Sequence, residues 1–209
     1  MKVAILGGTG SFGRALAARL VAAGGHEVVI GSRDAARGEA AAAELGGATS
    51  GATNDDAVRG VELAVLAVKA EAALETAREV AGALGTTPLL SVASALTFAK
   101  DGVRPEPDAR SLAERIQDVV DAPVAAGLHS IAASNIGSEP ADEDALVCGD
   151  DAAAKALALE LAGTVVAGRA LDAGPLANAR TLEGITAVIV NLNRRYKAHA
   201  GVRISGFDP

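Results

Sequence analysis

Cysteine is nearly absent from this 209-residue chain: Cys148 stands alone, so no internal disulfide can form, in keeping with a reducing compartment. Histidine is as sparse, and His26, His129 and His199 are too scattered to share a ligand spacing with one another or with the cysteine, so no metal constellation is expected. Basic charge is in deficit, 19 Lys and Arg against 26 Asp and Glu, and the net charge of −7 disfavours a general nucleic-acid or anionic-membrane surface. Long hydrophobic runs are missing too. The apolar stretch after Met1 and Lys2 covers only Val3 to Leu6 before glycines break it, too short for a secretory leader. Later runs at Val61 to Val68 and Ile185 to Val190 are too short to span a bilayer. The expectation is a cytoplasmic protein whose partners are small molecules, not nucleic acid or membrane. The single tyrosine, Tyr196, is followed four residues on by Ala200 and not by lysine, which argues against short-chain dehydrogenase catalysis.

What the chain does have is apolar bulk. Half of its residues are hydrophobic and 22% are charged, enough to bury a core. Short aliphatic runs alternate with alanine-rich amphipathic segments through the first third, the βαβ pattern of a parallel sheet. Strands are predicted at Lys2 to Leu6, His26 to Ile30, Leu63 to Val68, Leu89 to Ala93 and Pro123 to Leu128, with a weaker one at Ala48 to Ala52. Phe12, Leu16 and Leu20 recur every four residues and put one apolar stripe on the first helix. Val103 to Asp108, with two prolines, reads as a loop, and the acidic stretch Ser138 to Asp144 as a turn. A strand at Ala145 to Cys148, a helix from about Asp151 to Leu161 and a longer one from Pro175 to about His199 follow. The predicted fold is α/β: a Rossmann-type doubly wound parallel sheet over residues 1–130, then a small C-terminal α+β lobe over 131–209.

Gly8-Thr9-Gly10-Ser11-Phe12-Gly13 is a G-x-G-x-x-G placed directly after a predicted strand and opening a predicted helix. Glycine permits the turn and lets the backbone approach a pyrophosphate, whose charge then meets the N–H groups of the helix N-terminus. The overlapping spacing Gly7-x-x-Gly10-x-x-Gly13 also fits short-chain dehydrogenases, so the motif by itself does not choose a family. The end of the second strand says more. Enzymes using NAD place an acidic residue there, about 20 positions beyond the glycine loop, on the ribose 2′-hydroxyl. This chain has Gly31-Ser32-Arg33 instead, with Arg37 one helical turn further on, a hydroxyl and guanidinium set suited to a 2′-phosphate. NADP(H) is the expected dinucleotide, although a solvated arginine at a helix start is an ordinary alternative, evenly balanced for Arg37.

His129 follows the predicted strand Pro123 to Leu128 and so falls at the carboxyl edge of the sheet, where ligands bind in such folds; a hydrogen-bonded structural histidine is an equal reading. Leu171 to Arg180 turns tightly into the last helix, with Asp172 and Asn178 in turn or cap roles and Arg180 in an early turn. The cluster Arg194, Arg195, Tyr196 and Lys197 with Arg203 is either a solvated helix end or a contact for an anionic tail.

Taken in order, KVAILGGTGSFG, VVIGSR, GLHSI, VCGDD and LDAGPLANAR resemble the F420H2:NADP oxidoreductases, reductases of the deazaflavin coenzyme F420 that use NADPH. The similarity runs over nearly the whole chain. It implies reversible hydride transfer between carbon 5 of the deazaflavin and carbon 4 of the nicotinamide, across a cleft between two lobes. Such chemistry requires the two rings to be stacked with reacting carbons roughly 3–3.5 Å apart and water excluded, so the lack of an obvious acid, base or metal is expected. The resemblance assigns Thr9, Ser32, Arg33 and Arg37 to the 2′-phosphate and His129, Ile131, Arg180 and Thr186 to the deazaflavin side; Gly8 to Gly13 and Val68 complete the expected cofactor set, and a homodimer is expected because the apolar final helix of the small lobe seeks a partner. Departures from the family pattern are Val68-Lys69-Ala70, where a proline and an aromatic residue are usual, the missing proline in SVASALTF, and Gly184 at a serine-like position. An NADPH-dependent imine, ketone or hydroxyacid reductase and a non-catalytic NADP(H) sensor are the competing expectations.

Overall fold

The computed structural model describes residues 1–137 and 139–206; Ser138, in the acidic stretch read as a turn, lies outside the described residues. Strand β1 (Lys2–Leu6) lies inside an eight-stranded sheet, third from one edge. Its side chains alternate between two apolar layers, Ala4 and Leu6 on one face and Val3 and Ile5 on the other, the two-faced burial of a parallel strand covered by helices on both sides. Helix α1 (Ser11–Ala23) packs on the second layer through Leu16, Ala17 and Leu20, with Phe12 only partly buried at its start. Strand β2 (Glu27–Ser32) pairs in parallel with β1, helix α2 (Ala35–Leu45) is capped by Asp34, and β3 (Thr49–Thr53) forms the sheet edge beside β2. After the short α3 (Asn54–Ala57) the chain crosses to the other side of β1 and enters β4 (Leu63–Leu66), helix α4 (Ala70–Leu84) and β5 (Leu89–Ser91). That reversal makes a crevice at the carboxyl ends of β1, β2 and β4.

Only the first half of the segment expected to be a loop, Val103 to Pro105, is a strand, and Glu106 to Asp108 is irregular. Residues β6 (Leu96–Ala99) and β7 (Gly102–Pro105) form a two-stranded antiparallel hairpin apart from the main sheet. Pro105 is tolerated because an edge strand needs no inward N–H there. The hairpin is held by Asn191, whose amide accepts from Val103 N–H at 2.8 Å and donates to Val103 C=O at 2.7 Å, a side chain acting as a strand partner. Helix α5 (Leu112–Gln117) opens with a capping box between Ser111 and Glu114 and leads to β8 (Val124–Gly127), parallel to β5.

The sheet continues past residue 131. Strand β9 (Ala145–Gly149) pairs antiparallel with β8, and β10 (Ala170–Asp172) pairs in parallel with β9 beyond helix α6 (Ala152–Val165), giving the order β10-β9-β8-β5-β4-β1-β2-β3. A 3-10 turn (Leu176–Asn178) precedes helix α7 (Ala179–Tyr196), so the last helix begins four residues after Pro175. Asp172 and Asn178 take turn roles: Asp172 accepts from Gly174 N–H at 2.8 Å and pairs with Lys155, and Asn178 donates to Ala173 C=O at 2.6 Å. No described helix is long and apolar enough to cross a membrane.

Candidate functional site

Between β1 and α1 the chain reverses through Gly7, whose φ of +80° is open to glycine at little cost. A Cβ on Gly7 would stand 2.7 Å from Val68 Cγ1, and one on Gly13 would stand 2.6 Å from Gly7 C=O, so helix and loop are in backbone contact. Gly8 is equally confined, against Ile5 C=O and Ile30. Helix α1 then starts at Gly10 with no side-chain cap and no acidic residue in its first turn. Its leading N–H groups therefore remain available to an anion, at the positive end of the helix dipole.

The carboxyl end of β2 runs two residues beyond the predicted Ile30, which places Ser32 in register with Thr53 and turns Arg33 out at the rim. Ser32 is buried and its hydroxyl accepts from Asp34 N–H at 3.3 Å, while the Asp34 carboxylate is occupied as the α2 cap, accepting from Ala36 N–H at 3.0 Å. Arg33 and Arg37 are exposed and have no hydrogen bond or ion pair with any described residue. A cavity of about 680 Å³ gathers these elements: Thr9, Gly10, Ser11 and Phe12 from the loop, Ser32, Arg33 and Arg37 from the β2 end, and Val68 after β4. Gly8 and Gly13 lie beneath its wall.

Sequence reading missed part of the lining. Asn54, Thr76 and a row of glutamates four apart on α4, Glu71, Glu75 and Glu79, share the cavity, and Lys69 stands at the α4 N-cap within it. Four-residue spacing on a helix signals one face but not what faces it; Asn54 follows a polar strand and carries no motif at all.

The four residues assigned to the deazaflavin side do not share one cavity. His129 lies just beyond β8, after Leu128, whose φ of +60° is unusual for a bulky residue, and lines a crevice too tight for a water molecule with Ser130, Leu146, Leu182 and Ile185. Its ring is buried, Nδ1 has no partner, and burial pulls its pKa down to about 4, so the imidazole is neutral near pH 7. Thr186 is joined to it, its hydroxyl donating to His129 C=O at 2.9 Å. Arg180 is held elsewhere, donating to Glu183 Oε2 at 3.0 Å and to Glu106 C=O. Glu183, buried in α7, also accepts from Leu112 N–H at 2.8 Å, and burial raises its pKa. Ile131 sits in the core layer with Leu16 and Leu20, 3% exposed. Among the described residues no group of three His, Cys, Asp or Glu side chains could hold a metal ion.

Residues 2–95, the N-terminal stretch that carries this cavity, match the family described as NADP oxidoreductase, coenzyme F420-dependent. The F420-dependent NADP reductase of Methanothermobacter thermautotrophicus is 37% identical over 226 aligned positions, covering 98% of this chain and 95% of that protein. The chain belongs to the F420-dependent NADP reductase family. The family member from Methanocaldococcus jannaschii is 32% identical with both chains fully covered. A crystal structure of a candidate F420-dependent NADP reductase from Arthrobacter sp. FB24 superposes with a TM-score of 0.84 at 29% identity, covering 99% of this chain and 100% of that one. The Rossmann-type architecture is thus that of the family, and the glycine cradle fits its dinucleotide: the space a Cβ would fill at Gly7 and Gly13 is the space that brings α1's N-terminus to the loop.

Proposed function

We infer that this chain transfers a hydride reversibly between NADP(H) and the deazaflavin coenzyme F420. The observation that carries the dinucleotide half is the 680 Å³ cavity, whose lining brings together an uncapped helix N-terminus and two arginines without counter-ions among the described residues. In this reading the first turn of α1 holds the pyrophosphate, with Gly8 and Gly13 keeping the backbone close, while Thr9, Ser32, Arg33 and Arg37 hold the 2′-phosphate. Val68, whose side chain would touch a Cβ on Gly7, marks the way from the loop toward the nicotinamide end.

The deazaflavin half rests on family membership and on the carboxyl edge of β8. There buried, neutral His129 stands at the strand end with its backbone fixed by Thr186, and Arg180, on the same helix as Thr186, would have to leave Glu183 to meet an anionic group. Ile131 supports this edge from the core. Residues 1–130 would serve the dinucleotide and 131–209 the second ring, even though one sheet runs through both. The cofactors carry the electron chemistry when bound; the protein aligns them and keeps water out. We place the enzyme in the cytoplasm as a homodimer paired through the outer face of α7, where Val188, Leu192 and Tyr196 are exposed at four-residue intervals.

Deuterium at carbon 4 of NADPH, on the face the enzyme uses, should appear at carbon 5 of reduced F420 without dilution by solvent hydrogen, and little NADPH should be consumed under air when F420 is omitted. Oxidation of NADPH by a small imine or carbonyl with no label reaching F420 would replace this reading by the other reductase class, and binding without turnover by the sensor.

A further inference from the structure

Asn54 is the one cavity-lining side chain that is almost fully buried and has no protein partner for its amide among the described residues. It is 7% exposed, directly follows Thr53, and Thr53 is in register with Ser32 on the neighbouring strand. Its amide therefore stands beside the Ser32-Arg33 end of β2. Oδ1 is enclosed and packs against Gly31, 2.9 Å from where a Cβ on that glycine would stand. Oδ1 is out of a ligand's reach there, so Nδ2 is the end of the amide left for one. Its orientation is decided by the same contact: an oxygen against Cα–H makes a weak favourable contact, whereas the NH2 group there would bury two donors against carbon. The nitrogen is then the end that faces the cavity, and it can only donate.

We propose that Asn54 is a specificity-determining residue for the 2′-phosphorylated dinucleotide, its Nδ2 donating to the 2′-phosphate from the β3 side while Ser32 and Arg33 approach from the β2 side. A donor with no accepting atom exposed suits a phosphate, which offers three acceptor oxygens, better than the adenine amino group, which needs an acceptor. Gly31 belongs to the same device, because any side chain at that position would strike Oδ1 and turn the amide away. The inference rests on the assignment of Ser32 and Arg33 to the 2′-phosphate, and its test keeps the two apart.

NADP+ and NAD+ binding are measured by calorimetry on the wild-type protein, Asn54→Ala, Asn54→Asp and Arg33→Ala. Asn54→Ala should weaken NADP+ about tenfold, in keeping with a hydrogen bond to a charged group, and leave NAD+ within about twofold. Asn54→Asp, the same shape with a negative charge, should weaken NADP+ by about a hundredfold or more while NAD+ binding again holds, which also shows that the variant is folded. Equal loss for both nucleotides, or no loss in either variant, overturns the role of Asn54. If Arg33→Ala weakens NADP+ and spares NAD+ while the Asn54 variants change neither, only this inference fails; if Arg33→Ala affects both nucleotides alike, the 2′-phosphate site itself is elsewhere.

Discussion

Arg33 and Arg37 hold full charges at the cavity rim with no counter-ion among the described residues, whereas Arg14, Arg104 and Arg110 are paired with carboxylates. An unpaired guanidinium has nothing to give up when a phosphate arrives, so most of the charge-assisted bond shows as affinity. Arg33→Ala should weaken NADPH binding by about 1.5–3 kcal/mol and leave NADH nearly untouched, measured by fluorescence titration. His129 acts on stability instead. Its folded pKa, about 4, lies below the ordinary 6.5, so between those values the unfolded chain binds the proton and the folded one does not. Stability is therefore full above pH 6.5 and falls as pH drops toward 4. His129 alone should cost about 2 kcal/mol at pH 5 relative to pH 7.5. The buried carboxyls Glu143 and Glu183, whose pKa values burial raises, act in the opposite sense, so the difference between the wild-type protein and His129→Gln in urea melts at the two pH values isolates the imidazole. A variant as acid-sensitive as the wild-type protein would show that His129 is not the buried base described.

Helix α2 lies on β2 and β3 at glycine-only distance. A Cβ on Gly51 would stand 2.1 Å from the Gly38 carbonyl carbon, and one on Gly38 would stand 2.8 Å from Ile30 C=O. Bare backbone on both sides is what lets the start of α2 carry Arg37 to the strand edge. Gly51→Ala should lower stability by about 3 kcal/mol or more and weaken NADPH although residue 51 does not line the cavity. Gly82, exposed inside α4 with nothing near its Cβ position, makes the matching control: Gly82→Ala should raise stability by about 0.5–1 kcal/mol, seen as a higher Tm with unchanged NADPH affinity.

At the scale of the whole molecule, the C-terminal tail closes the far end of the sheet. Buried Asp144 accepts from the Arg169 backbone and guanidinium and from Ile204 N–H, which holds its carboxyl well below the usual range, and Asp144 N–H donates to Val202 C=O. The tail thus leaves α7 at Lys197, in the left-handed region, and returns to β9 without covering the outer face of that helix. Val188 and Tyr196 remain 58% and 67% exposed there, with Leu192 between them and Phe98 exposed on the hairpin that α7 holds. If the chain pairs through this face, as proposed above, Leu192→Glu should shift the sedimentation profile from dimer to monomer and leave NADPH affinity within about twofold; a monomeric wild-type protein would refute the pairing, and an unchanged dimer would move it off α7.

The sequence by itself determined the α/β class, the glycine loop and the arginine in place of a carboxylate directly after Gly31-Ser32, because each depends on local rules: short aliphatic runs alternating with amphipathic segments, glycine's access to positive φ, and the fixed place of a strand end. It also carried the family, spread over five short segments from KVAILGGTGSFG to LDAGPLANAR. Tertiary structure decided what depends on contacts distant in the chain. The proline-bearing segment from Val103 to Pro105 became a strand through pairing with β6 and through Asn191, 88 residues on, which bonds both backbone groups of Val103. Strands β9 and β10 joined the main sheet through pairing with β8, which composition cannot show. Arg180 was drawn to Glu183 and Glu106, and Ile131 into the core. Asn54 owes its place at the cavity to register with the neighbouring strand, a relation between two segments that neither segment encodes alone.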